Sequence, residues 1–250
     1  MEIEGAIVIV TGANRGLGRQ FVLSLIQAKA KKIYACARDK NSLPDFEGNG
    51  ITEIVKIKLD ITSEEDIRKV ASYADDISLL INNAGILKAE GLIQAKTLDN
   101  LKKEMSVNVF GPARMIQTFS SVLSKNEGGA ILNVLSVSSL LAFAPFGTYS
   151  ASKAAAMSLT HSCRYELKDS HVTVHGLYAG FIDTEMINHI KAEKSSPEEI
   201  VEAALDGIKN NVLDIYADQT AKAVKNKLRE DPEGLVASSW ALADSFLKYP

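Results

Sequence analysis

Apolar and polar positions along the chain switch repeatedly between two periods. Residues 6–10, Ala-Ile-Val-Ile-Val, form a continuous apolar run with β-branched members, which predicts a strand buried on both faces. Leu17, Phe21, Leu25 and Ala28 then recur at helical spacing. A second short strand is expected at 33–37, and 54–59 alternates apolar residues with lysine before ending at Asp60. Ser63 stands ahead of Glu64-Glu65-Asp66, a capping hydroxyl followed by acids in a first turn, so a helix opens there. Residues 79–81 read as a fourth strand running into Asn82-Asn83-Ala84-Gly85, and helical periodicity extends from about 98 to 123. Gly128-Gly129 breaks it ahead of a fifth strand at 130–135. An alanine-rich helix at 149–167, a strand at 172–178, a helix at 197–210, a short strand at 214–216 and a helical stretch to about 229 complete the rhythm. Ser196 caps the 197–210 helix, and Pro197 takes its first position.

Strands alternating with helices predict an α/β fold, a doubly wound parallel sheet covered by helices on both faces. No proline- or serine-rich linker divides the chain, so residues 1–250 are expected to be one domain. The irregular segment 182–196 reads as a short, polar substrate loop that forms a modest lid. The 231–250 tail carries Trp240, Leu242, Phe246 and Leu247 and is expected to be a packed helix or an oligomer contact.

Composition removes several function classes. Apolar residues make up 46% of the chain, enough to build a core. The 28 Lys plus Arg and 31 Asp plus Glu give a net charge of -3, without the positive excess that nucleic-acid binding requires. His161, His171, His175 and His189 show no metal-ligand spacing with Cys36 and Cys163, so no metal is expected and both cysteines read as reduced. The acidic start, with Glu2 and Glu4, does not read as a signal peptide. The apolar runs are too short to span a bilayer, so a cytoplasmic protein without membrane association is expected.

Chemistry concentrates first at Thr11-Gly12-Ala13-Asn14-Arg15-Gly16-Leu17-Gly18, between the first strand and first helix. Glycine lets the backbone approach a ligand closely, and a helix starting here aims free N–H groups and a positive dipole end at it. A phosphate is the natural guest. In isolation the same turn also fits a tight strand-to-helix connection that binds nothing.

This turn, Asn82-Asn83-Ala84-Gly85, Asn108, Ser136 and Tyr149-Ser150-Ala151-Ser152-Lys153 together resemble the short-chain dehydrogenases/reductases over residues 5–185. The resemblance implies a three-layer Rossmann-type domain, a nicotinamide cofactor, and hydride transfer to or from a carbonyl or alcohol. Tyr149 and Lys153 are four residues apart, on one helix face. The resemblance makes Tyr149 the general acid/base and has Lys153 hold the nicotinamide ribose. A free phenol has a pKa of about 10, roughly three units too high for a base near neutrality, so about 4 kcal/mol must come from the surroundings. A nearby Lys153 ammonium is expected to supply it by lowering that pKa. Ser136, at a strand end, is expected to donate to the substrate oxygen, with Ser138 as a substrate-facing neighbour. Asn108 matches the helix asparagine that supports a proton-relaying water. For the cofactor, the resemblance implicates Gly12, Asn14, Arg15, Gly16, Leu17, Gly18, Arg38, Asp60, Ile61, Asn82, Ala84, Gly85, Tyr149, Lys153, Gly180, Ile182 and Thr184. Asp60 is expected to accept from the adenine amino group, although a local cap ahead of Thr62 is the plain alternative.

Phe143, Tyr178 and Phe181, with Leu87, Leu140, Leu141, Phe146 and Met186, are expected to make an apolar pocket for a small carbonyl or alcohol. The second strand ends Ala37-Arg38 where an NAD-selective site commonly has a carboxylate. Arg38 and Arg15 can instead clamp a 2′-phosphate, so NADP(H) is expected to be preferred, with NAD(H) possible. Ala179-Gly180 replaces the family's usual Pro-Gly, which is expected to loosen that turn. The missing glycine-rich ending leaves either a homo-dimer or a homo-tetramer open. A cofactor-binding sensor without chemistry, or an NAD-dependent alcohol dehydrogenase on the same fold, would carry the same glycine turn.

Overall fold

The computed structural model describes residues 1–247 except 89, 94 and 127, and only the backbone of 242 and 244–247. Seven parallel strands form one sheet: β1 (Ile7–Thr11), β2 (Lys32–Ala37), β3 (Glu53–Lys58), β4 (Leu79–Asn82), β5 (Gly129–Val134), β6 (Val172–Tyr178) and β7 (Asp214–Tyr216), in the order β3-β2-β1-β4-β5-β6-β7. The helices are α1 (Gly16–Gln27), α2 (Glu64–Ala71), α3 (Asp99–Met105), α4 (Gly111–Lys125), α5 (Gly147–Glu166), α6 (Pro197–Lys209), α7 (Gln219–Glu230) and α8 (Pro232–Leu247). Strand alternation divides the core in two. Val8 and Val10 of β1 pack with Phe21 and Leu25 of α1 and Ile200 and Ala204 of α6. Ile9 faces the other side, with Ile67 of α2 and Met115 and Phe119 of α4. The strand order reverses between β1 and β4, which opens a crevice at their carboxyl ends.

The capping residues read from the sequence cap their helices. Ser63 Oγ accepts from Asp66 N (3.2 Å) and Ser196 Oγ from Glu199 N (3.1 Å). The expected continuous helix at 98–123 is divided: α3 ends at Met105 and a wide π turn, Ser106–Phe110, precedes α4. Pro112, in the first turn of α4, lacks the N–H that would bond the carbonyl of residue 108. The helix widens there, as such turns often do at functional sites, and Asn108 sits within it.

At the far sheet edge Arg164 of α5 staples β6 and β7. It donates to the carbonyls of Val174 (2.9 Å) and Leu213 (2.7 Å) and to the Asp214 carboxylate (2.7 Å). Burial raises the Asp214 carboxyl, while the Arg164 guanidinium holds the net pKa below its usual value. Arg164→Ala leaves the two carbonyls without this donor and is expected to cost about 2 kcal/mol, the scale of a charged hydrogen bond. Thermal and denaturant unfolding check this against an unchanged fold by circular dichroism.

Candidate active site

Thr11 and Asn83 join the two strands that border the crevice. The Thr11 hydroxyl donates to Ile81 O (3.2 Å) and accepts from the backbone N–H groups of Asn83 and Ala84 (both 3.0 Å). Asn83 Nδ2 returns hydrogen bonds to the carbonyls of Thr11 (2.8 Å) and Gly12 (3.3 Å). The chain turns on Gly12 (φ +67°) and Gly16 (φ +49°). A Cβ on Gly18 would lie 2.1 Å from the Gly12 carbonyl oxygen and 2.5 Å from Asn83 Nδ2. Only glycine lets α1 start this close to β1. Arg15, at the cap position of α1, makes no side-chain cap bond, so the first N–H groups of the helix stay available to an anion.

The crevice beyond this turn encloses about 970 Å³. Gly12, Asn14, Arg15, Gly16, Leu17, Gly18, Arg38, Asp60, Ile61, Ala84, Gly85, Gly180, Ile182 and Thr184 line it. Ser136, Tyr149 and Lys153 also line it, and Ser138, Phe143 and Phe181 border the far end. Four expected residues do not line it. Asn82 is buried on the other side, donating to Asn133 Oδ1 (2.9 Å), and its neighbour Asn83 faces the crevice instead. Tyr178 is a core residue. Its ring stacks on Tyr216 (4.9 Å), and its hydroxyl donates to Asp214 (3.2 Å) beside His161, so it is not a substrate contact. Leu140 packs with Tyr178 in the same cluster. Asn108 is also buried behind the wall. Its Nδ2 donates to Ile86 O and Ser152 Oγ (both 2.9 Å) and its Oδ1 accepts from Ile86 N (2.9 Å), so it positions other groups rather than touching a ligand.

At the centre, Ser136 ends its strand in a capping arrangement: its hydroxyl accepts from Ser138 N (3.1 Å), and Ser139 Oγ accepts from Ser136 N (3.3 Å). This separates the three serines. Ser139 is buried as a cap, Ser138 faces the crevice, and Ser136 lines it together with Tyr149. Lys153 is buried and donates to Val134 O (2.7 Å), with its ammonium 5.7 Å from the centre of the Tyr149 ring. Burial lowers the Lys153 pKa to about 8. The expected lowering of Tyr149 is not found. Burial raises its pKa to about 12; the Ser136 hydrogen bond opposes that and the Glu104 carboxylate adds to it. The ammonium that was to stabilise the phenolate is turned to a backbone carbonyl instead.

The cofactor-side charges are also arranged differently from the simplest reading. Asp60 Oδ1 accepts from the Thr62 backbone (2.9 Å) and hydroxyl (2.7 Å), the local cap. Asp39 lines the crevice, but its Oδ1 accepts from Asn41 N (2.9 Å). Arg38 is exposed and has no ion-pair partner among the described residues, whereas Arg15 pairs with Glu185 across the crevice mouth (2.9 Å).

The turn at Ala179-Gly180 is fastened, not loosened. Gly180 N donates to Asp218 Oδ2 (2.8 Å), and Val137 N donates to Ala179 O (3.0 Å). Asp218 is buried and also caps α7 through Ala221 N (2.7 Å). The following loop is closed by Ser195 N to Phe181 O and Asp183 N to Ser195 O (both 2.9 Å). It is less polar than expected, since Ile187 and Ile190 are buried with Phe143 and Phe146. The tail is a packed helix: Leu235, Ser238 and Ser239 of α8 border the crevice, and Ala243 joins the phenylalanine cluster. Trp240 is exposed; the side chains of Leu242, Phe246 and Leu247 lie outside the described residues. Sequence reading missed Asn83, Thr220, Val224 and these α8 residues as crevice walls. For Asp218 a signal existed, an N-cap aspartate ahead of a helical stretch.

Among the described residues no group of His, Cys, Asp and Glu is placed to hold a metal, and no helix is long and apolar enough to cross a membrane. A glycine cradle that side chains would fill, open helix N–H groups and an elongated crevice fit a dinucleotide. Fold and site thus define a Rossmann-type oxidoreductase that uses a nicotinamide cofactor. The short chain dehydrogenase family model matches residues 6–195, and the chain belongs to that family, whose members act on CH–OH and C=O groups. A short chain dehydrogenase from Burkholderia cenocepacia J2315, solved in complex with NADP, superposes with a TM-score of 0.90 at 37% identity, covering 96% of this chain and 99% of that one. A 3-oxoacyl-[acyl-carrier-protein] reductase of Synechocystis is 27% identical over 195 residues, 75% of this chain and 78% of its own length. A Burkholderia phymatum short chain dehydrogenase/reductase in complex with NAD shares the fold at 22% identity and a TM-score of 0.84, over 93% of this chain and 96% of that one.

Gly18→Ala is expected to abolish dinucleotide binding, because the new Cβ collides with backbone that cannot move without opening the Thr11–Asn83 junction. Titration of cofactor fluorescence against the variant checks this.

Proposed function

We propose that this protein is a cytoplasmic NADP(H)-dependent reductase/dehydrogenase that transfers hydride between the nicotinamide and an apolar carbonyl or alcohol, with Tyr149 as general acid/base. The observation that carries the reading is that Ser136, Tyr149 and Lys153 line the same crevice as the glycine cradle and the phenylalanines Phe143, Phe146 and Phe181. The bound cofactor supplies or accepts the hydride. Lys153 and Tyr149 hold its ribose side, and the Gly180–Thr184 backbone borders its nicotinamide end. Ser136 orients the substrate oxygen and Tyr149 gives it a proton. A phenol held near 12 is protonated at neutral pH, so the resting site is an acid, ready for carbonyl reduction. Lys153, with its pKa near 8, remains largely charged there.

Phe143 and Phe146, tilted at 5.4 Å, and Phe181, edge-on to Phe146 at 6.4 Å, suit an aromatic or aliphatic group. Leu87, Leu141 and Met186 complete that end, and no Lys or Arg lies among them to receive a carboxylate. Self-association through the long helices, as a dimer or tetramer, is part of the proposal. Exposed Phe110 and Leu159 belong to the α4 and α5 region that would be covered. A sensor without chemistry has no need of Ser136, Tyr149 and Lys153 together.

Tyr149→Phe is expected to lower kcat for apolar aldehydes and ketones by about 10²-fold or more while cofactor still binds. A rate above about a tenth of wild type removes Tyr149 as the acid. A panel that includes small keto acids checks the substrate class in the same assay.

The unpartnered Arg38 and the absence of an acid at Ala37 support NADP(H) over NAD(H). The opposite reading, an NAD-linked enzyme, is favoured by Asp39, which lines the same end and keeps one carboxylate oxygen free of the Asn41 bond. Arg38→Ala is expected to cut kcat/KM with NADPH by about tenfold or more, the value of one charged hydrogen bond, and to leave NADH use unchanged. Wild-type enzyme that uses NADH equally well decides for the alternative.

A further inference from the structure

Behind the catalytic tyrosine lies a buried acid to which the proposed reaction assigns no role. Glu104 of α3 has no solvent exposure. Its Oε1 accepts from Lys88 N (2.8 Å), and its Oε2 is buried with no hydrogen-bond partner among the described residues. A buried carboxylate with an unused oxygen is costly, so its retention calls for a use.

The surroundings suggest one. Asn100, Glu104 and Asn108 stand four residues apart on α3 and the π turn, and each engages the segment 86–90. Asn108 clamps both backbone groups of Ile86, Glu104 takes the N–H of Lys88, and Asn100 donates to the Glu90 carboxylate (3.0 Å). From the other side Thr148 Oγ1, next to the catalytic tyrosine, donates to Glu90 O (3.2 Å). The segment is thus strapped between α3 and the first turn of α5, with Leu87 presented to the crevice. A second line runs from Asn108 Nδ2 to Ser152 Oγ (2.9 Å) and from Ser152 Oγ to the Tyr149 carbonyl (2.7 Å).

We propose that Glu104 is a positioning residue of this site: it fixes the 86–88 strap that presents Leu87 to substrate, and it couples that strap to the Tyr149 phenol. The inference rests on Tyr149 being the acid. The other groups around the phenol do not duplicate this role. Ser136 acts on it in the opposite direction, and Lys153 on its own helix is tied to Val134 O. Lys88 is exposed, the Glu90 carboxylate accepts from Asn100, and Glu185 is paired with Arg15 at the mouth. From α8 the crevice receives Leu235, Ser238 and Ser239, which carry no charge. The Glu104 carboxylate disfavours the phenolate, in the direction already found for Tyr149.

Two variants separate the parts. Glu104→Gln keeps an acceptor for Lys88 N but removes the charge. Glu104→Met removes both at similar size. The phenolate of Tyr149 is titrated by ultraviolet absorbance, as the difference between each protein and the same protein carrying Tyr149→Phe. Alcohol oxidation is followed against pH in parallel. In both variants the phenolate titration and the rising limb of oxidation are expected to move to lower pH by about half a unit or more. KM for an apolar ketone is expected to rise about threefold or more in Glu104→Met and to stay at the wild-type value in Glu104→Gln. A titration that stays in place in either folded variant, or an unchanged KM in Glu104→Met, overturns the proposal. Retained turnover in Tyr149→Phe overturns the acid assignment instead, and the absorbance titration still reports whether Glu104 acts on the phenol.

Discussion

Everything in this molecule that can face a cofactor depends on how closely β1 and β4 approach at their carboxyl ends. The Thr11 hydroxyl takes part in three hydrogen bonds there, to Ile81, Asn83 and Ala84, and Asn83 returns two to the carbonyls of Thr11 and Gly12. With both strand ends tied, the glycine turn has one available path, and the absence of a side chain at Gly18 is what lets α1 begin on it. The helix N–H groups then open toward the crevice instead of toward bulk water. A looser junction would move the phosphate-binding turn relative to β5, from whose end Ser136 projects, and the two halves of the site would lose register.

Burial is the second constraint, and it acts against the simplest account of the catalytic pair. A lysine four residues after a tyrosine suggests a charge that depresses the phenol. The folded chain spends that ammonium on the Val134 carbonyl, and burial moves the two pKa values apart, Tyr149 up to about 12 and Lys153 down to about 8. Without ligand the pair is an acid and a weakened cation. Lowering the phenol therefore depends on what enters the crevice, and an empty site carries no phenolate to react with solvent.

How much of this was legible in the sequence depends on the range of the interactions. Local signals read true: the apolar strand runs and the Ser63 and Ser196 caps rest on neighbours within four residues, and the glycines mark their turn in the sequence even though Asn83 completes it. The split of the 98–123 helix was written in Pro112, whose missing N–H opens the turn around Asn108. Residues whose role depends on distant partners were not legible. Asn82 and Asn83 are adjacent, and only the sheet decides which faces the crevice. Tyr178 closes its strand on the side of β7 and α5, with Tyr216 and Asp214. The loss of proline before Gly180 suggested a loose turn, yet an aspartate 38 residues later takes over the fastening.

That last substitution shows how the walls of the crevice divide between parts of the chain. The sheet from β1 to β6 carries the glycine cradle, Ser136, Tyr149 and Lys153, all within the span that the family model matches. The far wall comes partly from beyond it: Asp218 holds Gly180 and caps α7, Thr220 packs against that glycine, and α8 lays Leu235, Ser238 and Ser239 along the crevice. Ala243 reaches the cluster formed by Phe143, Phe146, Ile187 and Ile190. The loop after β6 and the terminal helix therefore pack against one another through the phenylalanine cluster. A change in either meets the same phenylalanine cluster, while the glycine turn, knotted at Thr11 and Asn83, touches the loop after β6 through the Arg15–Glu185 pair and at Thr184 beside Gly16. The two ends of the crevice therefore rest on different parts of the chain, joined at the mouth by that ion pair.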